Sequence, residues 1–416
     1  MKLRDLLGEM VLQGASDLHI KAGSPPGLRV HGELQPIETY DPLSGADTCK
    51  LVGELLEDEE FRKQYEENRD LDFSRHLEGI ARFRVNVFFQ RGTPAAVLRL
   101  IPIEVPEMES MGYPPVVKAL CQKPRGLCLV TGPTGSGKST TLAAMIDYIN
   151  RHDHGHILTL EDPIEFVHQD KNCFVNQREI GSDSLSFNNA LRAALREDPD
   201  FILVGEMRDL ETISLAITAA ETGHLVFGTL HTTSAIQTVD RIIDVFPHEA
   251  QQQVRTQLSA TLQGVISQTL LPKVGGGRVC AQEIMIGTSA VRNCVREGKT
   301  PQLINVLQTG LQYGMQTLES SLADLIIAGV VTPDAAIAKA NDPQMLKNIL
   351  GKSGHAVRVT DDSLIPQARA AQTTEGVPTE PAPTAGPAPD EGEEAPPEKE
   401  PNSYDEFEQF RKKMKQ

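Results

Sequence analysis

The feature that most constrains this 416-residue chain is a nine-residue run, Gly-Pro-Thr-Gly-Ser-Gly-Lys-Ser-Thr, at positions 132–140. The run fits the pattern G-x-x-x-x-G-K-[ST], follows a strand-like apolar run at 126–131 and precedes a helical pattern at 141–149. Glycines allow backbone N–H groups to point inward at phosphate, and the N-terminus of the following helix adds favourable partial charge. The sequence therefore predicts a phosphate-binding loop between a strand and a helix.

Every residue of this loop is a candidate for binding ATP. Lys138 is expected to reach the β- and γ-phosphates, and Ser139 is expected to bind Mg²⁺. The other nucleotide-binding candidates are Gly132, Pro133, Thr134, Gly135, Ser136, Gly137 and Thr140.

Carboxylates follow two further strand-like runs. Glu206 comes after the apolar run 201–204 and is the predicted catalytic carboxylate, which orients or deprotonates the attacking water or helps to hold Mg²⁺. The run 157–160 leads into Glu161 and Asp162, which we expect to join the Mg²⁺ and water network. Pro163 keeps Asp162 out of a helical conformation. An acidic turn without a catalytic role remains the alternative for this second segment.

Two histidines flank a fourth strand-like run, at 225–230. His231, at its end, is expected to sense the γ-phosphate by hydrogen bonding, and His224, before it, is a further nucleotide-binding candidate. A purely structural role is the alternative for each histidine.

Alternation of these runs with helical patterns indicates an α/β fold with a parallel sheet and helices on both faces. Ligands of such sheets bind at the carboxyl ends of the strands, where the four motifs lie. After Leu271 the pattern predicts mostly helix through Leu350.

The chain divides into four predicted segments. Residues 1–102 read as a small α/β domain, 103–115 as a linker, 116–350 as the ATPase domain with a helical C-terminal part, and 351–416 as a disordered tail. Between Asp361 and Gln416 there are 13 acidic and 6 basic residues, with few large apolar ones, so this segment cannot offset its chain entropy by burial. Aromatic residues spaced three apart within 402–416 predict either a docking helix or a frayed tail.

Charge and cysteine content limit the binding partners and the cellular compartment that we expect for this chain. A formal net charge of −17 disfavours nucleic acid and anionic membrane surfaces. The six cysteines form no C-x-x-C pair, which favours free thiols in a reducing cytosol. No run approaches the ~18 apolar residues of a membrane span, so we expect no direct membrane insertion.

Four motifs in order, GPTGSGKST, TLEDPIE, ILVGEMRDLET and TGHLVFGTLHTTSA, resemble the Walker A, Asp box, Walker B and His box of the type II/IV secretion ATPase superfamily. The segments GASDLHIKAGSPPGLRVHGEL, ARFRVNVFFQRG and VNQREIG narrow the resemblance to the type IV pilus retraction ATPases. The similarity runs from about residue 1 to 350.

This resemblance implies a PAS-like N-terminal domain, a RecA-like P-loop ATPase domain and a homohexameric ring. It implies that arginines on strands of the first domain reach the nucleotide, which in this sequence are Arg84, Arg99 and the neighbouring Arg82. It further implies an ATP hydrolase that drives pilus retraction and twitching motility. Such a motor is cytoplasmic, is peripheral at the inner membrane through a pilus platform protein, and can work with a paralogous retraction ATPase.

Several alternatives remain open at this stage. The segment AVRNCVRE at 290–297 is close to the family motif AIRNLIRE that is used for retraction, with Cys294 in a leucine position. That exchange and the acidic tail favour an accessory retraction paralogue as one alternative, and a pilus assembly or type II secretion ATPase is another. An ATP-binding scaffold and a DNA-mobilising ATPase are less compatible with the intact motifs and the net charge.

Overall fold

The computed structural model describes residues 2–30, 32–77, 80–101 and 105–352. The predicted docking helix at 402–416, like nearly all of the predicted tail, lies outside the described residues. The described residues form two compact units, one made of 2–72 with 85–99 and the other of 73–84 with 100–352. No helix within the described ranges is both long and apolar enough to cross a bilayer.

The described residues of the N-terminal part of the chain, through residue 101, form three helices and six strands. They are α1 (Leu3–Leu12), β1 (Asp17–Ile20), β2 (Gly27–Val30), β3 (Glu33–Pro36), α2 (Gly45–Leu55), α3 (Glu59–Asn68), β4 (Asp70–Leu77), β5 (Ala81–Gln90) and β6 (Thr93–Ile101). The strands form one sheet in the order β3-β2-β1-β6-β5-β4, in which β1 runs antiparallel to both β2 and β6.

Local sequence explains two of these elements. Helix α2 begins with a capping box, in which Ser44 and Asp47 satisfy each other's backbone N–H groups. Strand β5 alternates over its first seven residues, with Ala81, Phe83 and Val85 buried between more exposed residues. The period of two therefore places Arg82 and Arg84 together on the opposite face of β5.

The C-terminal part of the chain contributes seven strands and eleven helices among the described residues. The strands are β7 (Gly126–Thr131), β8 (His156–Glu161), β9 (Phe174–Glu179), β10 (Phe201–Val204), β11 (Leu225–Leu230), β12 (Leu262–Pro272) and β13 (Arg278–Ile286). The helices are α4 (Pro115–Cys121), α5 (Lys138–His152), α6 (Phe187–Ala194), α7 (Leu210–Glu221), α8 (Ala235–Asp244), α9 (His248–Thr261), α10 (Ser289–Arg296), α11 (Leu303–Thr309), α12 (Leu318–Ile327), α13 (Pro333–Ile337) and α14 (Pro343–Lys352).

These strands form a seven-stranded sheet in the order β13-β12-β7-β11-β10-β8-β9. Each neighbouring pair from β12 to β9 is parallel, whereas β13 is antiparallel to β12. The sheet is covered on both faces, because alternate residues of one strand enter different cores. In β7, Leu127 and Leu129 join one core while Cys128 and Val130 join the other.

The structure confirms the α/β class and the four strand-like runs around the motifs, which are β7, β8, β10 and β11. The chain after Leu271 is mostly helical as expected, but it also contains a strand that was not predicted, because β13 occupies Arg278–Ile286 and pairs with β12 along its whole length. Polar residues such as Gln282 and Glu283 mask the strand in the sequence, and β12 supplies its hydrogen-bond partners. The PAS-like identity of the first domain stays a prediction.

Candidate nucleotide-binding and hydrolysis site

The predicted phosphate loop lies between β7 and α5, as its sequence context requires. All three of its glycines have a backbone conformation that side chains rarely adopt, with φ of 145° at Gly132, 76° at Gly135 and 90° at Gly137. A Cβ atom at Gly132 would lie 2.3 Å from the carbonyl oxygen of Gln268. The tight turn therefore needs glycine at position 132 for space as well as for backbone geometry.

Lys138 opens helix α5 and points back over the loop. Its Nζ donates hydrogen bonds to the carbonyl oxygens of Gly132 at 3.0 Å and Pro133 at 3.2 Å. Partial burial lowers the pKa of Lys138, and the carboxylates of Glu206 and Glu165 act in the opposite direction. The ammonium group thus lies where it can meet the phosphates of a nucleotide held by the loop.

Gln268 of β12 is hydrogen-bonded to the phosphate loop and to the first turn of α5. Its Nε2 donates to the carbonyl oxygen of Ser136 at 2.9 Å, and its Oε1 accepts from the hydroxyl of Thr141 at 3.0 Å. The Thr141 hydroxyl also pairs with the Tyr113 hydroxyl at 2.7 Å. The loop and the first turn of α5 are therefore tied to a neighbouring strand by a buried amide.

Glu206 lies just after the end of β10, and its carboxylate interacts with the side chains of Arg208 and His231. It forms an ion pair with Arg208, and its Oε1 lies 2.9 Å from Nε2 of His231 at the end of β11. Burial alone would raise the pKa of Glu206, but the interactions with Arg208 and His231 outweigh it and hold that pKa below its ordinary value. Glu206 is therefore ionised and oriented near neutral pH.

The Glu206 carboxylate opens into a cleft of about 560 Å³. The lining side chains come from the phosphate loop, from the ends of β10 and β11 and from helix α8. They are Thr134, Glu206, Met207, Arg208, Leu230, His231, Thr232 and Arg241.

Glu161 ends β8, the strand next to β10. Its Oε1 accepts hydrogen bonds from the Thr159 hydroxyl at 2.7 Å and from Nε2 of Gln177 at 3.1 Å. Burial raises the pKa of Glu161 to about 7, although both hydrogen bonds favour the ionised form. Asp162 is exposed and is joined to Pro163 by a cis peptide bond.

Strand order brings these groups to one edge. In the sequence β7-β11-β10-β8, the phosphate loop, His231, Glu206 and Glu161 each follow the carboxyl end of successive strands. The backbone N–H of Gly205 donates to the carbonyl oxygen of Leu160 at 2.7 Å, so the ends of β10 and β8 are in direct contact.

His224 does not reach this edge. It precedes β11, where its carbonyl oxygen accepts from Gly126 at the start of β7, and its Nδ1 lies 2.9 Å from the carbonyl oxygen of Ala219. Strand β11 has six residues, so His224 and His231 are separated by about 20 Å of extended chain. The structure therefore places His224 at the opposite end of the sheet from the phosphate loop.

The three predicted arginines lie on strands of the first sheet. Arg82 donates to Oε2 of the buried Glu179 at 2.7 Å and to the Ser74 hydroxyl at 2.6 Å. Arg99 forms a 2.8 Å ion pair with the buried Asp17, the residue opposite it in the β1–β6 register. Burial would raise the pKa of Asp17, but hydrogen bonds from Arg99 and Ser16 lower it. Arg84 is exposed on β5.

Sequence reasoning missed several groups that complete the edge. Gln268 and Gln177 lie in otherwise strand-like runs, and a glutamine inside an apolar run such as Val-Ile-Ser-Gln-Thr-Leu-Leu was the available signal for the first. Arg208 and Arg241 carry no comparable signal in the sequence, because an arginine before or within a helix is usually a solvated surface group.

The donor set at the edge fits Mg²⁺, which prefers oxygen ligands and is held in nucleotide sites by one or two carboxylates together with phosphates. Ser139, Glu206 and Glu161 offer a hydroxyl and carboxylates of this kind. No group of three or more histidine, cysteine or acidic side chains among the described residues forms a metal cage by itself.

The family model for type II/IV secretion system proteins matches residues 2–309. With a phosphate loop, an ionised carboxylate and a histidine at one edge of a mostly parallel sheet, the chain belongs to this family of P-loop ATPases.

Two relatives and one solved structure indicate to which group within the family the chain belongs. The type IV pilus retraction ATPase PilT of Pseudomonas aeruginosa is 56% identical over 344 residues, covering 83% of this chain and 99% of the relative. The type IV pilus ATPase PilU of the same bacterium is 38% identical over 376 residues, covering 87% and 98%. The crystal structure of the pilus retraction motor PilT with bound ADP matches with a TM-score of 0.79 at 50% identity, over 84% of this chain and 99% of that one. Within the family, the chain therefore groups with the PilT-type ATPases.

Proposed function

We propose that this chain hydrolyses ATP to drive type IV pilus retraction, by disassembly of pilin, and thereby twitching motility. The observation that carries the proposal is the 56% identity to the retraction ATPase PilT across almost the whole of that relative. The site supports it, because the phosphate loop, Glu206, His231 and Glu161 converge on one edge of the sheet.

The residues at this edge have distinct roles in the proposed reaction. The loop N–H groups and Lys138 bind the phosphates, and Ser139 with Glu206 and Glu161 would hold Mg²⁺, which would neutralise negative charge on the phosphates. Glu206 orients or deprotonates the attacking water, and His231 keeps that carboxylate directed into the cleft. Asp162 belongs to the surrounding water network.

The working unit is a homohexamer, in which arginines of the first domain stabilise charge that develops on the transferred phosphate. The candidates are Arg84, which is exposed on β5, together with Arg99 and Arg82, which form ion pairs with Asp17 and Glu179. A rigid guanidinium fork is suited to phosphate. For Arg99 or Arg82 to reach the phosphate, its ion pair with Asp17 or Glu179 has to open first.

The remaining parts of the proposal concern organisation and place. The segments are 1–102, a PAS-like domain; 103–115, a linker; 116–350, the RecA-like ATPase domain; and 351–416, the tail. The ring is cytoplasmic, acts at the inner membrane through a pilus platform protein and passes nucleotide-driven closure to it. Neither nucleic acid nor lipid is a substrate.

An accessory paralogue of the PilU type is the second candidate, and the lower identity of 38% disfavours it. Cys294, which occupies a leucine position of the family's retraction motif, helps to decide between a retraction motor and an accessory paralogue. Cys294 is only 8% exposed and packs into the core with Val291 and Val295 on the buried face of α10. The exchange therefore leaves the outer surface of this motif unchanged, which supports a retraction motor.

Deletion of the gene, with pili imaged in living cells, tests the function. Many static pili, rescued by the wild type and not by Lys138→Ala, are the expected result. Loss of pili would indicate an assembly motor. Normal retraction, or rescue by Lys138→Ala, would contradict the proposal and favour an accessory role in which the chain's own ATP chemistry is dispensable.

A further inference from the structure

Gln177 lies on β9, directly opposite Thr159 in the parallel β8–β9 register. Because side chains alternate along a strand, Thr159 and Glu161 share one face of β8, and Gln177 projects beside them. The Thr159 hydroxyl and Nε2 of Gln177 both donate to the same oxygen, Oε1 of Glu161, at 2.7 Å and 3.1 Å. Two neighbouring strands thus converge on one carboxylate oxygen.

The orientation of the Gln177 amide is fixed by the backbone on both sides. Its Oε1 accepts from the backbone N–H of His168 at 2.7 Å, and its Nε2 donates to the carbonyl oxygen of Phe166 at 2.8 Å. A flipped amide would place a donor against an N–H and an acceptor against a carbonyl. The second N–H of the amide is therefore committed to Glu161.

These contacts also hold the chain that carries the acidic motif. The segment from Glu161 to His168 leaves β8, and the Gln177 side chain anchors it to β9 at Phe166 and His168. Glu179 lies two residues after Gln177 on β9, and its Oε2 accepts a hydrogen bond from the backbone N–H of Ile164 at 3.1 Å. The same face of β9 therefore fixes both the carboxylate and the loop that follows it.

We propose that Gln177 is a positioning residue for ATP hydrolysis, which acts by orienting the carboxylate of Glu161 for the Mg²⁺ and water beside the phosphate loop. This inference rests on the proposed function, because it assumes that Glu161 belongs to the Mg²⁺ and water network. Oε1 is thus fixed by two side-chain donors, and the backbone N–H of Glu165 is a further donor to the same carboxylate, so the plane of the carboxylate is set from the β9 side. Partners that orient a metal ligand in this way typically matter by about 10- to 100-fold in metal affinity or activity.

The test compares Gln177→Ala and Gln177→Glu in the full-length assembled enzyme. The glutamate variant keeps the size of the side chain and replaces the donor by an acceptor. Asn176→Ala is the matched control, because Asn176 is the adjacent residue of β9, points to the other face and pairs with His156. Steady-state kcat, KM for ATP, the Mg²⁺ dependence of binding of a non-hydrolysable ATP analogue, and thermal melting are measured for each variant.

We expect both Gln177 variants to lose about 10- to 100-fold in kcat with little change in KM, and to need more Mg²⁺ for analogue binding. Asn176→Ala should match the wild type. Placing Gln177→Ala in a Glu161→Gln background should add no further loss in either readout, because the partner through which Gln177 acts has already been altered.

Equal losses from Gln177→Ala in both backgrounds would mean that Gln177 supports the fold, and would overturn the inference while leaving the function of Glu161 intact. An unchanged Mg²⁺ dependence and kcat in Gln177→Ala would overturn it as well. Wild-type turnover in Glu161→Gln would instead remove Glu161 from the proposed reaction, so the two failures are distinguishable.

Discussion

Oε1 of Glu206 and Nε2 of His231 lie 2.9 Å apart, so a hydrogen bond joins the ends of β10 and β11. The two residues are 25 positions apart in the chain. They meet because β10 and β11 are parallel neighbours with Val204 opposite Gly228. The carboxylate is thereby fixed at the edge that carries the phosphate loop.

Glu206→Gln should bind ATP normally and hydrolyse it at least about 100-fold more slowly, because the amide can neither accept a proton from water nor balance the charge of Arg208. Fluorescent-nucleotide binding and phosphate release measure the two properties separately. Glu249→Gln, at an exposed position of α9, is the control. Normal turnover in Glu206→Gln would remove it as the key carboxylate.

His231→Ala should lower kcat by about 10-fold or more, because Glu206 loses the partner that orients it. The effect should appear in kcat more than in KM, since the phosphate loop is untouched. His154→Ala is the matched control, because the His154 side chain is exposed on the loop before β8. Equal activities of the two alanine variants would show that His231 is not needed at the site.

Gln268→Leu should weaken nucleotide binding and destabilise the fold by about 1–3 kcal/mol. The substitution leaves the buried Ser136 carbonyl and Thr141 hydroxyl without their amide partner. Chemical unfolding and nucleotide titration test the two effects. Thr269→Ala, at the next and more exposed position of β12, is the control and should change neither property. Wild-type nucleotide affinity in Gln268→Leu would show that the phosphate loop does not depend on its hydrogen bond to Gln268.

Arg84→Ala should leave the nucleotide affinity of a single chain unchanged and abolish most activity of the assembled ring. Arginines that stabilise phosphoryl transfer contribute about 10³–10⁵ in rate in other nucleotide hydrolases. Single-chain binding, ring assembly and turnover are measured together, with the exposed Arg278→Ala as control. A fully active ring would place the essential arginine elsewhere.

Glu283 should make stability depend on pH. It is 4% exposed on β13, and its carboxylate accepts from the backbone N–H of Ala235 at 2.7 Å. Burial, with a smaller contribution from the nearby Glu319, raises the pKa of Glu283 from 4.5 to about 7.

The folded state therefore binds the Glu283 proton more tightly than the unfolded chain, so the free energy of unfolding should fall as pH rises from about 4.5 through about 7. Glu283→Gln should match the wild type near pH 4 and exceed it at pH 8, by up to the order of 3 kcal/mol. Urea unfolding at both values measures this. A wild-type slope retained in Glu283→Gln would assign the pH dependence to other groups.

Local sequence was sufficient for the parts of the site that depend on neighbouring residues. The glycines of 132–137, the apolar run before them and the helix after them specify the phosphate loop, because backbone conformation and helix polarity are local properties. The same holds for Glu206, which follows a short buried strand whose end can be located from its apolar residues. The alternation of strands and helices likewise indicated an α/β fold.

Tertiary structure alone decided which of these groups meet. The order β7-β11-β10-β8-β9 differs from the order along the chain, so the contacts of Glu206 with His231 and of Glu161 with Gln177 follow from strand pairing. Strand direction also placed His224 at the far end of β11, although it is only seven positions from His231. Hydrogen bonds between distant strands set these distances, and no local pattern encodes the partner that each strand selects.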